Sequence, residues 1–310
     1  MRNLVAGLLS LLIAVAALAA APQKMTIKEK GKGYDVDISY PRLGHAAMDR
    51  QLEAWVRDIA RDFVGIAHDE PGVANPWAVE VSYEIKRADA QMVVVAFENY
   101  SYTGGAHPNT SSETFNFLLP DGRRVEFAEV FTPKGIQRVS DIAIARLKQD
   151  LGGPDGMSDM DWIKRGAGPN ARNFASFALL PRELLITFDA YQVAAYAAGP
   201  QEVRIPLALL RDVMRPNPRL PQASFDCTLA RSEVERAICS SEALARLDRH
   251  MGEAYGYRLV WAVDAAQQQA LRGQQRTWLK TRDDTCRAPG IVACLNAMYQ
   301  RRLKELDAPN

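Results

Sequence analysis

The apolar positions of this chain change period several times, and each change marks an element. Val36, Ile38 and Tyr40 alternate with polar residues in the stretch from Met25 to Tyr40, the two-residue period of extended chain with one buried face. Met48, Leu52, Trp55, Ile59 and Phe63 then recur at steps of three and four, which predicts a helix whose apolar stripe packs on a sheet. Residues 77 to 87 (WAVEVSYEIKR) and 91 to 102 (QMVVVAFENYSY) alternate again around Ala88-Asp89-Ala90 and are expected to pair as a hairpin. A second hairpin is expected over 110 to 127, where Pro120 presets one turn dihedral and Gly122 permits the next.

Helical period returns at Ile136, Val139, Ile142, Ala143 and Leu147, and Gly152-Gly153-Pro154 ends it. The segment 152 to 172 reads as loop. Strands follow at 173 to 180, 183 to 189 and 201 to 206, then a short helix at 207 to 213. This order predicts an α+β fold with a largely antiparallel sheet and two main helices. Three prolines in Arg215-Pro216-Asn217-Pro218-Arg219-Leu220-Pro221 hold the chain extended and mark a boundary. The expected regions are 22–214, a linker over 215–223, and a final part over 224–310. In that part helices are predicted at 231–239, 242–263, 266–284 and 291–306, with Leu244, Met251, Leu271, Trp278, Leu279, Leu295 and Leu306 facing inward as a small all-α bundle.

At the start of the chain, Arg2 precedes an apolar run from Leu4 to Ala20, with small residues at Ala17, Ala19 and Ala21. These are the three parts of a cleavable signal peptide, expected over 1–21. The run is also long enough to stay in a bilayer as an uncleaved anchor, but its alanine-rich end favours cleavage. No cysteine lies near the cut to carry a lipid. The expectation is a periplasmic or secreted protein that meets the membrane only during export.

Of the 310 residues 47% are hydrophobic and 24% charged, and the net charge is +1, so the chain can bury an ordinary core and shows no basic face for nucleic acid. The four cysteines, Cys227, Cys239, Cys286 and Cys294, all fall in the last third, an even number that predicts disulfides in an exported chain. Zinc is the competing reading, although structural sites usually set their ligand pairs two to four residues apart. Local closure favours Cys227 with Cys239 and Cys286 with Cys294.

Catalytic chemistry is thinly represented. The four histidines, His45, His68, His107 and His250, contain no pair at the four-residue spacing of a helical zinc site, and neither a G-x-S-x-G elbow nor a phosphate loop occurs. Asp283-Asp284 reads as a solvated helix end. No catalytic residue, cofactor or metal is predicted; an enzyme would have to pair His107 with Glu98 or Glu113. Two stretches are unusual. Ser101-Tyr102-Thr103-Gly104-Gly105-Ala106-His107-Pro108-Asn109 ends a strand in two glycines and an imidazole, and its plain explanation is a tight hairpin connection. Phe188-Asp189-Ala190-Tyr191-Gln192-Val193-Ala194-Ala195-Tyr196-Ala197-Ala198-Gly199-Pro200 is too apolar for a casual surface loop, unless both tyrosines fold back on the core.

Those two stretches, with Glu202-Val203-Arg204-Ile205-Pro206, resemble over about residues 25 to 214 the ectodomain shared by RsiV-type anti-sigma factors and the accessory domain of PdaC-type peptidoglycan deacetylases. The carrying pattern is Y-T-G-G-A-H paired with Y-x-x-A-x-Y-A-A-G. Ala195 stands where that family commonly has proline. Residues 224 to 308 resemble the LprI lysozyme-inhibitor family through Phe225-Asp226-Cys227, Ala237-Ile238-Cys239, Leu247-Asp248, Tyr255, Gln275-Arg276-Thr277-Trp278-Leu279, Arg282-Asp283, Cys286, Cys294-Leu295, Tyr299, Arg301 and Arg302. Both resemblances imply binding of lysozyme-type muramidases. The implied contact residues are Tyr102, Thr103, Gly104, Gly105, His107, Asn109, Tyr191 and Tyr196, set in a rigid loop that fills an enzyme cleft. The alternative is a non-catalytic module of peptidoglycan maintenance that binds glycan or a wall-modifying enzyme.

Overall fold

A computed structural model of the protein describes residues 21–69, 76–152, 159–218 and 223–308. The expected signal peptide, apart from Ala21, and positions 219–222 of the expected linker lie outside them. The first sheet has six strands in sequence order: β1 (Gln23–Gly31), β2 (Tyr34–Arg42), β3 (Trp77–Ala88), β4 (Met92–Tyr102), β5 (Asn109–Leu118) and β6 (Arg123–Val125). All neighbours are antiparallel except β2 and β3, which run parallel from Tyr34↔Trp77 to Ile38↔Val81. A parallel pair needs a crossover, and α1 (Ala46–Asp69) provides it. Its Met48, Leu52, Val56 and Phe63 bury against Val36, Ile38, Val79, Val95, Phe97 and Phe117 on one face of the sheet. Trp55 sits 4.8 Å from the Phe97 ring.

The opposite face receives the rest of the N-terminal part. Here α2 (Phe127–Val130), α3 (Pro133–Leu151) and α4 (Met160–Gly166) pack around a second antiparallel sheet of β7 (Phe177–Leu179), β8 (Glu183–Phe188) and β9 (Gln201–Pro206). Thr132 starts α3 by accepting a hydrogen bond from the Gly135 amide, with Pro133 in the first turn where its missing N–H costs nothing. Alternation along the strands does not reveal that they fall into two sheets. Asn116 joins the sheets: its buried side chain donates to Phe177 O at 2.7 Å and accepts from Leu179 N at 2.8 Å.

Three local expectations are corrected. The supposed loop of 152–172 contains α4, because Asp159 caps it by accepting from the amides of Asp161 and Trp162. Residues Ala171–Phe174 form a 3-10 turn, so the strand expected from 173 starts only at Phe177. The segment 207–213 makes two 3-10 turns, Leu207–Leu209 and Arg211–Val213, in place of one α-helix. Val213 O is occupied by the Thr132 amide and hydroxyl, so the chain is tied sideways to the start of α3.

The C-terminal part is α-helical, with α5 (Glu233–Ser240), α6 (Glu242–Val260), α7 (Ala265–Thr285) and α8 (Ile291–Asp307). Disulfides join Cys227 to Cys239 and Cys286 to Cys294. Val234, Ile238, Leu244, Met251, Ala254, Leu295, Tyr299 and Leu306 form its core. On α7 the buried residues are Gln275 and Arg282, whereas Leu271 and Leu279 are only half-buried. The reason is a polar network inside the bundle. Asp248, 1% exposed, accepts from Ser224 N, Ser224 Oγ and Tyr299 Oη at 2.6–2.7 Å, and Arg282 donates to the same Tyr299 oxygen at 2.7 Å. Gln275 accepts from Arg302 at 3.1 Å. The start of the linker is pinned as well: Arg215 donates from its amide to Val130 O at 2.7 Å and from its guanidinium to Ala128 O at 3.0 Å. Among the described residues no helix is long and apolar enough to cross a membrane.

Candidate functional site

The two unusual stretches meet in space at the end of the β4–β5 hairpin. In the first, Gly104 has φ +82°, and a side chain there would press on the Trp77 indole nitrogen at 3.1 Å, so the turn is open only to glycine. The second stretch leaves β8 and is tied down at both sides. Asp189 accepts from Ser112 N on β5 at 2.8 Å, and Gln192 donates to Gly166 O and Asn173 O at 3.0 and 2.9 Å. Gly166 of α4 is required for this approach: a Cβ there would lie 1.8 Å from Gln192 O. Burial pushes the Asp189 carboxyl up, partly offset by its hydrogen bonds from Ser112.

His107 is the junction. Its ring stacks on Tyr196 with centroids 3.8 Å apart and planes 18° apart. Its Nδ1 donates to Pro108 O at 2.9 Å, and the Tyr196 hydroxyl donates to the same carbonyl at 2.9 Å. In the neutral ring Nε2 is then an acceptor, and the Tyr191 hydroxyl lies 3.1 Å from it. Tyr191 itself is 47% exposed and held at φ +68°, with its carbonyl accepting from Trp162 Nε1 at 2.8 Å. A positive φ on an aromatic residue costs on the order of 1–3 kcal/mol and persists only where the surroundings over-determine it. Trp162 and Gln192 supply that constraint, through the bond to the Tyr191 carbonyl and the bonds that hold the next residue against Gly166 and Asn173.

Of the eight contact residues expected from sequence, the structure brings His107, Tyr191 and Tyr196 into one stack. Thr103, Gly104 and Gly105 form the exposed tip beside it, while Tyr102 ends β4 and Asn109 starts β5 without entering it. Sequence reasoning missed Trp162, Asp189, Gln192 and Gly166. The only available signal was that Asp189 and Gln192 flank Tyr191. The carboxylates named for a catalytic His107 are placed otherwise: Glu113 pairs with Arg124, and Glu98 lines a groove on the sheet. Among the described residues no group of three or more His, Cys, Asp or Glu is placed to hold a metal ion.

A second polar assembly joins the two parts of the chain. Glu126 and Glu129, at the start of α2, face α6. Glu126 accepts from Arg249 and from His250, each at 2.6 Å, and Glu129, 3% exposed, accepts from Arg123 at 3.0 Å with Arg246 at 3.5 Å. Burial alone would raise the Glu126 carboxyl, but the His250 hydrogen bond and the charges of His250 and Arg249 hold it down at about 2. Burial raises the neighbouring Glu253. Asn170 donates to Glu253 O at 3.0 Å, and Arg172 pairs with Asp307 at 2.7 Å. His250 is thus a bridging residue. His45 contacts Pro120 O at 2.8 Å, and the side chain of His68 lies outside those described.

Residues 27–110 match the family model described as "Deacetylase PdaC", residues 128–208 the "Protein of unknown function (DUF3298)", and residues 227–306 "Lysozyme inhibitor LprI". The chain is 28% identical over 194 residues to the peptidoglycan-N-acetylmuramic acid deacetylase PdaC of Bacillus subtilis (strain 168). That likeness covers 61% of this chain and 41% of the relative, so the chain spans about two fifths of its length. A crystal structure of a DUF3298 family protein from Pseudomonas aeruginosa PAO1 shares the fold at TM-score 0.50 and 17% identity, over 65% of this chain and 98% of that one. A DUF3298 family member from Bacteroides fragilis NCTC 9343 gives TM-score 0.44 at 16% identity, over 64% and 95%. The PdaC-type and LprI-type resemblances of the two parts are both shown.

Proposed function

We propose that this protein works outside the cytoplasm, in the periplasm or secreted after loss of residues 1–21, where it binds and inhibits lysozyme-type muramidases. The observation that carries the reading is the His107–Tyr191–Tyr196 cluster, built from residues up to 89 positions apart and ending in an exposed aromatic ring in a strained conformation. A core does not need such a residue at its surface. A binding loop does, because a side chain already held in its docked geometry loses little entropy on association. A muramidase cleft carries two carboxylates flanking the scissile bond. The Tyr191 hydroxyl can turn from His107 Nε2 toward one of them, with the Thr103–Gly105 tip filling the space of the sugar. The match of residues 227–306 to a lysozyme-inhibitor family supports the same partner independently, and the two disulfides suit an oxidising compartment.

The test is a calorimetric titration of the full chain against a panel of lysozyme-type muramidases, with cell-wall lysis measured alongside. A stoichiometric complex and suppressed lysis are expected, and Tyr191→Ala is expected to weaken binding at least ten-fold with an unchanged melting temperature. Absence of association with every enzyme of the panel removes the reading.

A further inference from the structure

The aromatic loop is only one wall of a larger cleft. On its far side the chain of Tyr191 and Gln192 faces the end of α6, where Tyr257 and Trp261 stand 5.9 Å apart, and Arg172 and Asn173 form the floor. The cleft is open to solvent, with a volume of about 680 Å³, in the range of small-ligand sites. Three aromatic rings, two amides and a guanidinium line it, and no carboxylate is among its described lining residues. A second guanidinium, that of Arg165, lies 5.5 Å over the Trp261 ring. The indole N–H of Trp261 is buried and has no acceptor among the described residues.

We propose that the two parts of the chain jointly bind an acidic pyranoside chain in this cleft. The chemistry matches on three counts. Aromatic faces stack against the apolar C–H faces of a pyranose. The Asn173 carbonyl oxygen has no partner among the described residues and can accept from a ring substituent, and Arg172 offers the planar fork that recognises a carboxylate. Asp307, which pairs with Arg172, is itself half exposed at its side chain, so a ligand carboxylate can share or replace it. The walls are also held at a fixed separation. The bond from Asn170 to Glu253 O and the Glu126–Arg249–His250 assembly fasten the turn bearing Arg172 to the helix bearing Tyr257. The site stands on this geometry and not on muramidase binding.

The experiment follows tryptophan fluorescence and heat as the full chain is titrated with two probes. One is a tetrasaccharide alternating N-acetylglucosamine with N-acetylmuramic acid, and the other is the N-acetylglucosamine tetramer, which lacks the carboxylates. Saturable binding of the first, at least ten-fold tighter than the second, is expected. Trp261→Ala and Tyr191→Ser are each expected to weaken it at least ten-fold, and Arg172→Gln to abolish the preference between probes. Trp261 ends a helix and its alanine variant can lose local structure; Tyr191→Ser changes only an exposed loop residue, and the comparison of probes needs no variant. No saturable binding, equal affinity for both probes, or undiminished binding in Tyr191→Ser overturns the proposal. Lysis inhibition measured on the same samples separates its failure from that of the muramidase reading.

Discussion

The sheet-bearing part and the helical part of this chain reach stability by different routes. The first buries two long apolar cores, with Phe97, Phe117, Leu52 and Ile38 between α1 and the first sheet and Phe131, Phe174, Phe177 and Phe188 around the second sheet, and it contains no cysteine. The helical part has a short apolar core and adds two disulfides and an internal set of charges around Asp248. Small domains bury a smaller fraction of their surface, so cross-links and satisfied polar networks take a larger share of the work. The residues that carry the LprI resemblance include Asp248, Gln275, Arg282, Tyr299 and Arg302, all members of that interior network. They are a structural signature, and the exposed chemistry has to be sought elsewhere.

The contrast is broken most sharply at Asp248. Asp248→Ala leaves Tyr299, Ser224 and Arg282 without their common acceptor and is expected to cost about 3–5 kcal/mol, read as an early transition in calorimetry that leaves the sheet part folded. Replacing Cys286 and Cys294 together by serine is expected to cost about 2–4 kcal/mol in the same transition. If both transitions fall together in either variant, the halves unfold as one unit and the contrast fails. Glu126→Gln tests the bond between them. The Glu126 carboxyl titrates lower folded than unfolded, so its contribution is present above about pH 4.5 and disappears as pH falls toward 2. Allowing for its partial exposure, that contribution is about 1–3 kcal/mol, and Glu126→Gln should flatten the acid limb of a stability profile by that amount. The smallest effect is expected at Tyr196→Phe, which removes one hydroxyl bond to Pro108 O for about 0.5–1.5 kcal/mol in thermal unfolding. A larger loss there would mean that the aromatic stack is part of the core and not a surface device.

Periodicity along the chain determined much of this protein. Alternation at 77–102 gave the β3–β4 hairpin, the Met48–Phe63 stripe gave α1, and the proline stretch separated sheet-forming from helix-forming sequence. Those features are local, because a strand or helix exposes its period through neighbours a few residues away. The two loop motifs also held all three members of the aromatic stack. What they could not show was that His107 lies flat on Tyr196, that Gly166 admits the Gln192 backbone, or that Glu126 meets Arg249 and His250. Nor did the pattern show α4, whose start rests on one Asp159 cap, or the division of the described strands into two sheets. Each of those depends on which distant segments come into register, and a side chain's partner across 80 or more positions is chosen by the packed fold, where burial and hydrogen-bond geometry admit one arrangement.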